Sequence, residues 1–280
     1  MKRYNLQDRV VVITGATGGL GRSLARALRD RGAKLALLDI DLPATQALAA
    51  QLGADTVAHA WPANVRDYDA LAHAMDQAAK HFGGIDVVIA NAGVDQVSPM
   101  VGTSPASFER VVDINLTGVW RTLRLALPHV QQRRGYLMAI SSMAAFVHSP
   151  LQSHYTASKA GVWAMCNSIR LEVRHLGVDV GTVHPTFFNT PMMADVHADP
   201  AGVKLWGGNK GGLWKMITVD DVVQGIVAGI EQRKEAVVLP RENILVAKAP
   251  GLFRKMAERL GFKQADVVEA IRLAEAGGPR

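Results

Sequence analysis

Seven short apolar runs recur at 10–14, 35–40, 56–60, 86–90, 136–141, 178–184 and 236–239, several of them nearly continuous in Val, Ile and Leu, separated by longer helical patterns. Runs this apolar have no polar side to turn to water. They suit strands covered by helices on both faces, as in a parallel sheet. The stretches between them predict helices over 20–31, 43–52, 68–82, 105–131, 155–176 and 219–233. Thr218 ahead of Val219-Asp220-Asp221 is a helix start, an oxygen for the first free amides followed by acids at the positive end of the helix dipole. Strands and helices in alternation predict an α/β fold, a doubly wound Rossmann-type domain with a seven-stranded parallel sheet. No repeat, low-complexity tract or linker divides the 280 residues, so a single domain is expected, its core over about 6–240.

Two segments depart from the alternation. Residues 190–216 carry the pairs Gly207-Gly208 and Gly211-Gly212 among Met192, Met193, Leu205, Trp206, Leu213 and Trp214, which suggests a mobile flap over an apolar cavity. Residues 241–280 form a C-terminal helical extension, with apolar spacing at Leu252, Met256 and Leu260 and again at Val267, Ile271 and Ala274.

The first strand runs into Thr14-Gly15-Ala16-Thr17-Gly18-Gly19-Leu20-Gly21 and then directly into a helix. Glycine lets backbone approach a pyrophosphate without a Cβ in the way, and the helix N-terminus adds free N–H groups and a positive dipole. No Gly-Lys-Ser/Thr follows, so this is not the phosphate loop of nucleoside triphosphatases. At the end of the second strand stands Asp39. A carboxylate there accepts both hydroxyls of an adenosine ribose and repels a 2′-phosphate. Asp41 adds negative charge, and neither Ile40 nor Thr17 is basic. The expected cofactor is NAD(H), preferred over NADP(H).

The Thr-Gly-x-x-x-Gly-x-Gly spacing is followed in order by Asn91-Ala92-Gly93, Asn115 and Ser142…Tyr155-x-x-x-Lys159. In this the chain resembles the short-chain dehydrogenase/reductase family over about residues 6–240. The resemblance implies that Gly15, Thr17, Gly18, Gly19, Leu20 and Gly21 hold the pyrophosphate, and Asp39 with Ile40 the adenosine ribose. Asn64-Val65, where the family usually has Asp-Val, would meet the adenine. Asn91, Ala92 and Gly93 would lay backbone along the ribose. Thr190 would bond the nicotinamide carboxamide, after a Pro185-Thr186 turn in place of the usual Pro-Gly.

Tyr155 and Lys159 sit one helical turn apart on one face. A phenol near pKa 10 is a poor base, but a nearby ammonium and a positive nicotinamide favour the phenolate. Bringing it near neutrality takes ~3–4 kcal/mol of differential stabilisation. Tyr155 then takes the alcohol proton in oxidation or returns it in reduction. The resemblance implies that Ser142 holds the substrate oxygen, with Ser141 its rival. It also implies that Lys159 binds the nicotinamide ribose and that Asn115 holds a water leading protons to solvent.

The pocket implied by the resemblance draws on Gln96, Met143, His148, Gln152, Phe187, Phe188, Trp206 and Trp214. Such an apolar lining with few polar handles suits a bulky hydrophobic alcohol or ketone, such as a steroid, terpenoid, retinoid or lipid. A 3-oxoacyl reductase shares the motifs but mostly uses NADPH. A silent NAD-binding sensor would have no reason to keep Ser142, Tyr155, Lys159 and Asn115. No metal is expected, because His148, His154 and His184 lack ligand spacing and Cys166 is the only cysteine.

The net charge is +6, with basic residues spread along the chain, so nucleic acid is not an expected partner. A lone cysteine, no apolar leader in residues 1–9 and no run of 18 apolar residues lead to a cytoplasmic expectation. The extension sets Lys248, Arg254, Lys255, Arg259 and Lys263 beside Leu252, Phe253, Met256, Leu260 and Phe262. Such a helix can lie on an anionic membrane or pack on the domain, and packing is expected. The family resemblance implies a homodimer or homotetramer paired through the helices around Asn115 and Tyr155.

Overall fold

A computed structural model describes residues 3–211 and 215–276, apart from the side chains of Met192 and Asp195. The first half runs β1 (Val10–Thr14), α1 (Gly19–Arg29), β2 (Lys34–Asp39), α2 (Leu42–Leu52), β3 (Ala58–Pro62), α3 (Tyr68–Phe82) and β4 (Val87–Ala90). Next come α4 (Pro105–Val112), α5 (Gly118–Gln132), β5 (Tyr136–Ile140), α6 (Ser153–Val173), β6 (Asp179–Pro185), α7 (Pro191–Ala198) and α8 (Pro200–Trp206). The chain ends with α9 (Val219–Glu231), β7 (Ala236–Leu239), α10 (Ile244–Lys248), α11 (Pro250–Gly261) and α12 (Gln264–Ala276).

The strands form one parallel sheet in the order β3-β2-β1-β4-β5-β6-β7. β1 shows why it is interior. Val11 and Ile13 pack into the core beneath α1 and α9, while Val10 and Val12 pack into the opposite core beneath α3, α5 and α6. Each such side chain, fully buried, contributes ~1.5–3 kcal/mol, and the one polar residue of the strand, Thr14, is buried at its end with its hydroxyl accepting the Asn91 backbone amide (3.1 Å). The chain winds one way from β1 to β3 and the other way from β4 to β7. The carboxyl ends of β1 and β4 therefore part at the switch point, where ligands of such sheets bind.

Three expectations change. The helix expected over 105–131 is broken by a π-turn, Asp113–Thr117, between α4 and α5. The segment expected as a flap is mostly helix over 191–206, because Thr190-Pro191 and Asp199-Pro200 each join a capping oxygen to a proline at the first helical position. β3 lies two residues later than expected, its pairing with β2 carrying on to Pro62. The start of α9 is as expected, with Thr218 and Asp221 capping each other's backbone amides.

The extension packs by its last helix. Ala270 and Ala274 of α12 are buried against Ala201, Leu205 and Trp206 of α8, and Lys204 pairs with Asp266 at 2.8 Å.

Candidate active site

β1 ends in a turn that only glycine fits. Gly15 has φ +65°, and a Cβ there would stand 2.7 Å from the Ala92 Cα. At Gly21 a Cβ would stand 2.3 Å from the Gly15 carbonyl, so helix and turn close onto each other. α1 starts just after Gly18, which has no side chain to cap it, so its first amides stay free at the cleft that Gly18, Gly19 and Leu20 line. Asn91 holds the turn from the next strand, its amide donating to the carbonyls of Thr14 (3.1 Å) and Gly15 (2.9 Å). Uncapped N–H groups around a turn without side chains are the donor set a pyrophosphate needs, so these residues fit a dinucleotide.

Asp39 stands at the end of β2, mostly buried. One carboxylate oxygen accepts the Thr17 amide (2.8 Å) and hydroxyl (2.7 Å), and the other accepts the Ile40 amide (2.7 Å). These bonds fix a negative charge at the rim of the cleft.

The cleft is a cavity of about 810 Å³ running from Asp39 to Trp206. It is lined by every sequence-expected cofactor residue except Gly21, which acts behind it: Gly15, Thr17, Gly18, Gly19, Leu20, Asp39, Ile40, Asn64, Val65, Asn91, Ala92, Gly93, Tyr155, Lys159, Pro185 and Thr190. Ser142, Met143, Gln152, Phe187, Phe188 and Trp206 also line it. Gln96 and His148 do not. The Gln96 side-chain oxygen accepts the Ser107 hydroxyl, and His148 is exposed and faces Glu258 of α11. Trp214 lies outside the described residues.

The chemistry-bearing side chains meet in this cavity. Ser142 stands beside Tyr155, near enough for its hydroxyl to favour the ionised phenol. The Lys159 Nζ lies 5.5 Å from the Tyr155 ring centre and donates to the Ile140 carbonyl at 2.9 Å. Ser141 instead spends its hydroxyl on the Lys159 carbonyl (2.9 Å), so Ser142 is the serine turned to the tyrosine. Asn115 sits behind, fully buried in the π-turn, its amide bracing the Val94 N–H and carbonyl at 2.8 Å each. A Cβ on Gly93 would meet both Asn115 Oδ1 (3.3 Å) and Lys159 Nζ (3.6 Å), so the two groups converge on that backbone.

The protonation pattern departs from the expected one. Burial first, and then the Asp95 charge, push the Tyr155 hydroxyl above its ordinary value, against the Ser142 hydroxyl. Burial lowers Lys159 to about 8, with Asp95 opposing. Burial raises Asp95 to about 7, against bonds from the Gln96 amide and Gln152 and the charge of Lys159. The Gln152 amide donates to Asp95 at 2.5 Å. Asp95, half-buried in the lining, was not among the expected site residues, and its place two residues after Gly93 is the signal that points to it. Arg110 and Ile114 of the α4 region and Phe262 after α11 line the cavity too, with no such signal.

His184 and His154 pack into the interior. His184 is fully buried, lowered to about 4 by burial, and bridges the Thr182 hydroxyl (2.8 Å) and Ser142 carbonyl (3.3 Å). His154, equally buried, lies against Phe108. Far from the cavity, Asp55, His59 and His81 hold ligand-type atoms within 4.8 Å of one another, a grouping across 26 residues that linear spacing hides.

Comparison with known proteins agrees with this geometry. Residues 9–201 match the family model described as short chain dehydrogenase. Among similar proteins is dehydrogenase/reductase SDR family member 7B of Bos taurus, 34% identical over 92% of this chain and 83% of its own. The (-)-trans-carveol dehydrogenase of Rhodococcus erythropolis is 35% identical over 67% of this chain and 74% of its own. The 3beta-hydroxysteroid dehydrogenase 1 of Eggerthella lenta is 32% identical over 70% and 77%. Turn, tyrosine–lysine pair and matched residues converge: the chain belongs to the short-chain dehydrogenase/reductase family of nicotinamide-dependent oxidoreductases.

Proposed function

We propose that the protein interconverts a bulky hydrophobic secondary alcohol and its ketone with NAD(H). The observation that carries this reading is one cavity lined both by the fixed carboxylate of Asp39 and by Ser142, Tyr155 and Lys159. The nicotinamide supplies or accepts the hydride when bound. Gly15 to Leu20 would seat its pyrophosphate, Asp39 its adenosine ribose, and Lys159 and Thr190 its nicotinamide end. A phosphate on that ribose would meet Asp39 and gain no cation from Thr17 or Ile40. This favours NAD over NADP, and argues against a 3-oxoacyl reductase.

Tyr155 carries the proton. With its hydroxyl held above its ordinary value it is a phenol at neutral pH, ready to protonate a nascent alkoxide as the ketone is reduced. In oxidation it must first lose that proton, which a positive ring beside it and the Lys159 ammonium favour. Ser142 holds the reacting oxygen in place. Lys159, with Asn115 beside it, leads the proton towards solvent.

Beyond the reacting atoms, Met143, Phe187, Phe188 and Trp206 supply apolar surface, with Phe187 and Trp206 in ring contact at 5.5 Å. Asp95 and Gln152 are the polar handles. The names of the two bacterial relatives, a carveol and a steroid dehydrogenase, support this substrate class. A screen of terpenoid, steroid and long-chain secondary alcohols with NAD and with NADP, following absorbance of the reduced nicotinamide, tests the reading. Turnover with NAD on hydrophobic alcohols is expected. A preference for NADP would overturn the Asp39 argument, and turnover confined to small polar alcohols would overturn the substrate class.

A further inference from the structure

The extension is two-sided in a way its composition alone does not show. Helix α12 is packed, whereas α11 is packed on one side only. Phe253, Arg254, Ala257 and Glu258 turn towards the body, and Glu258 fixes the roll of the helix. It accepts the His148 amide at 3.3 Å and pairs with Arg254 at 3.6 Å. The opposite side is open. Leu252 is 79% exposed, Met256 56% and Leu260 67%, a stripe at four-residue spacing along one face of a twelve-residue helix. Leu245 of α10, just before it, is 62% exposed.

This open stripe is flanked by positive charge. Lys255 and Arg259 are exposed on the same side as the leucines, and Lys248 and Lys263 stand exposed at the two ends. Among the described residues, Lys248, Lys255 and Arg259 form no ion pair. Glu258 is the only acid in 248–263, and it faces inward.

Large apolar side chains in water cost free energy that a partner recovers, and the flanking cations select the partner. A second copy of this chain in a symmetric contact would lay Lys255 and Arg259 against themselves, and like charges at an interface oppose it. An anionic bilayer surface complements both halves of the face. Its headgroups meet the cations while the stripe enters the headgroup–acyl boundary. We propose that the outward face of α11, Leu252, Met256 and Leu260 with Lys255 and Arg259, docks this protein peripherally on an anionic lipid bilayer. No helix among the described residues is long and apolar enough to cross a membrane, so the attachment is to the surface. Phe262, the residue after α11, lines the cavity, so the docked face adjoins its mouth.

The test is vesicle flotation of the full chain with phosphatidylcholine alone and with phosphatidylcholine mixed with phosphatidylserine. Flotation only with the phosphatidylserine vesicles, weakening as salt is raised, is expected. Two double variants, Lys255→Glu with Arg259→Glu and Leu252→Gln with Leu260→Gln, are each expected to weaken partitioning about tenfold or more. Both change exposed side chains, and unchanged melting temperatures check that they fold. No flotation with phosphatidylserine, or flotation that neither double variant weakens, overturns the proposal. So does a leucine double variant that splits an oligomer in sedimentation without altering flotation, since a second copy then occupies the face. No turnover enters the test, so its outcome is separate from that of the proposed activity.

Discussion

Burial raises the Tyr155 hydroxyl most and the Asp95 carboxylate adds to it, so substituting Asp95 separates charge from shape. Its carboxylate raises the Tyr155 hydroxyl, so in Asp95→Asn the limb of the oxidation pH profile that reports Tyr155 is expected to move to lower pH. An unmoved limb would show that the carboxylate has no hold on the tyrosine. The sign for stability runs the other way from that of an ordinary ion pair. An acid raised to about 7 binds more protons folded than unfolded between its ordinary range and 7, so its ionisation takes stability away as pH rises through that window. Asp95→Asn is therefore expected to melt higher than the parent near pH 8, with no gain near pH 4, as calorimetry would read. At the other end of the cavity, Asp39→Ala is expected to narrow the preference for NAD over NADP by about tenfold or more, a change that reduced-cofactor fluorescence titration measures. The positions of Asp39, Tyr155 and Lys159 are legible in the linear order, since each lies at a fixed step from a strand end or helix turn. The tie between Asp95 and Gln152 is not, because it exists only once the loop after β4 folds against the start of α6.

At the level of elements, the central strands read clearly because they are buried on both faces and rich in aliphatic residues, whereas edge strand β3, with His59 and Trp61 only half-buried, read two residues early. What escaped linear reading were elements decided by a few atoms. The π-turn at Asp113–Thr117 leaves composition unchanged and yet fixes where Asn115 sits, at the back of the site. Helices α7 and α8 are too short for an apolar periodicity to stand out, so the glycine pairs beyond them dominated the pattern. Packing of the extension depends on small residues. Ala270 is fully buried where α12 meets α8, so Ala270→Glu would place an unpaired carboxylate in that joint. A loss of about 2–5 kcal/mol is expected at this joint. Limited proteolysis should then cut first in the extension, and the KM for hydrophobic substrates should rise, because Trp206 of α8 lines the cavity. Cleavage unchanged from the parent would mean that α12 contributes little to holding α8.

On the scale of the whole molecule, the switch in strand order between β1 and β4 puts the glycine turn and the tyrosine–lysine pair into one cavity, although 134 residues separate Gly21 from Tyr155. Linear order carries the resemblance to the family as far as β7, and beyond it composition offers both packing and surface contact for the extension. Folding divides these between two helices, α12 inward and the face of α11 outward. The proposed function has Tyr155 moving the proton in a cavity that takes NAD. Its most direct test compares the parent with Tyr155→Phe, which keeps the ring and removes only the hydroxyl. NADH affinity is expected to stay within a few-fold of the parent, while turnover of a hydrophobic secondary alcohol falls by about 100-fold or more. Turnover equal to that of the parent, with NADH still bound, would contradict the claim.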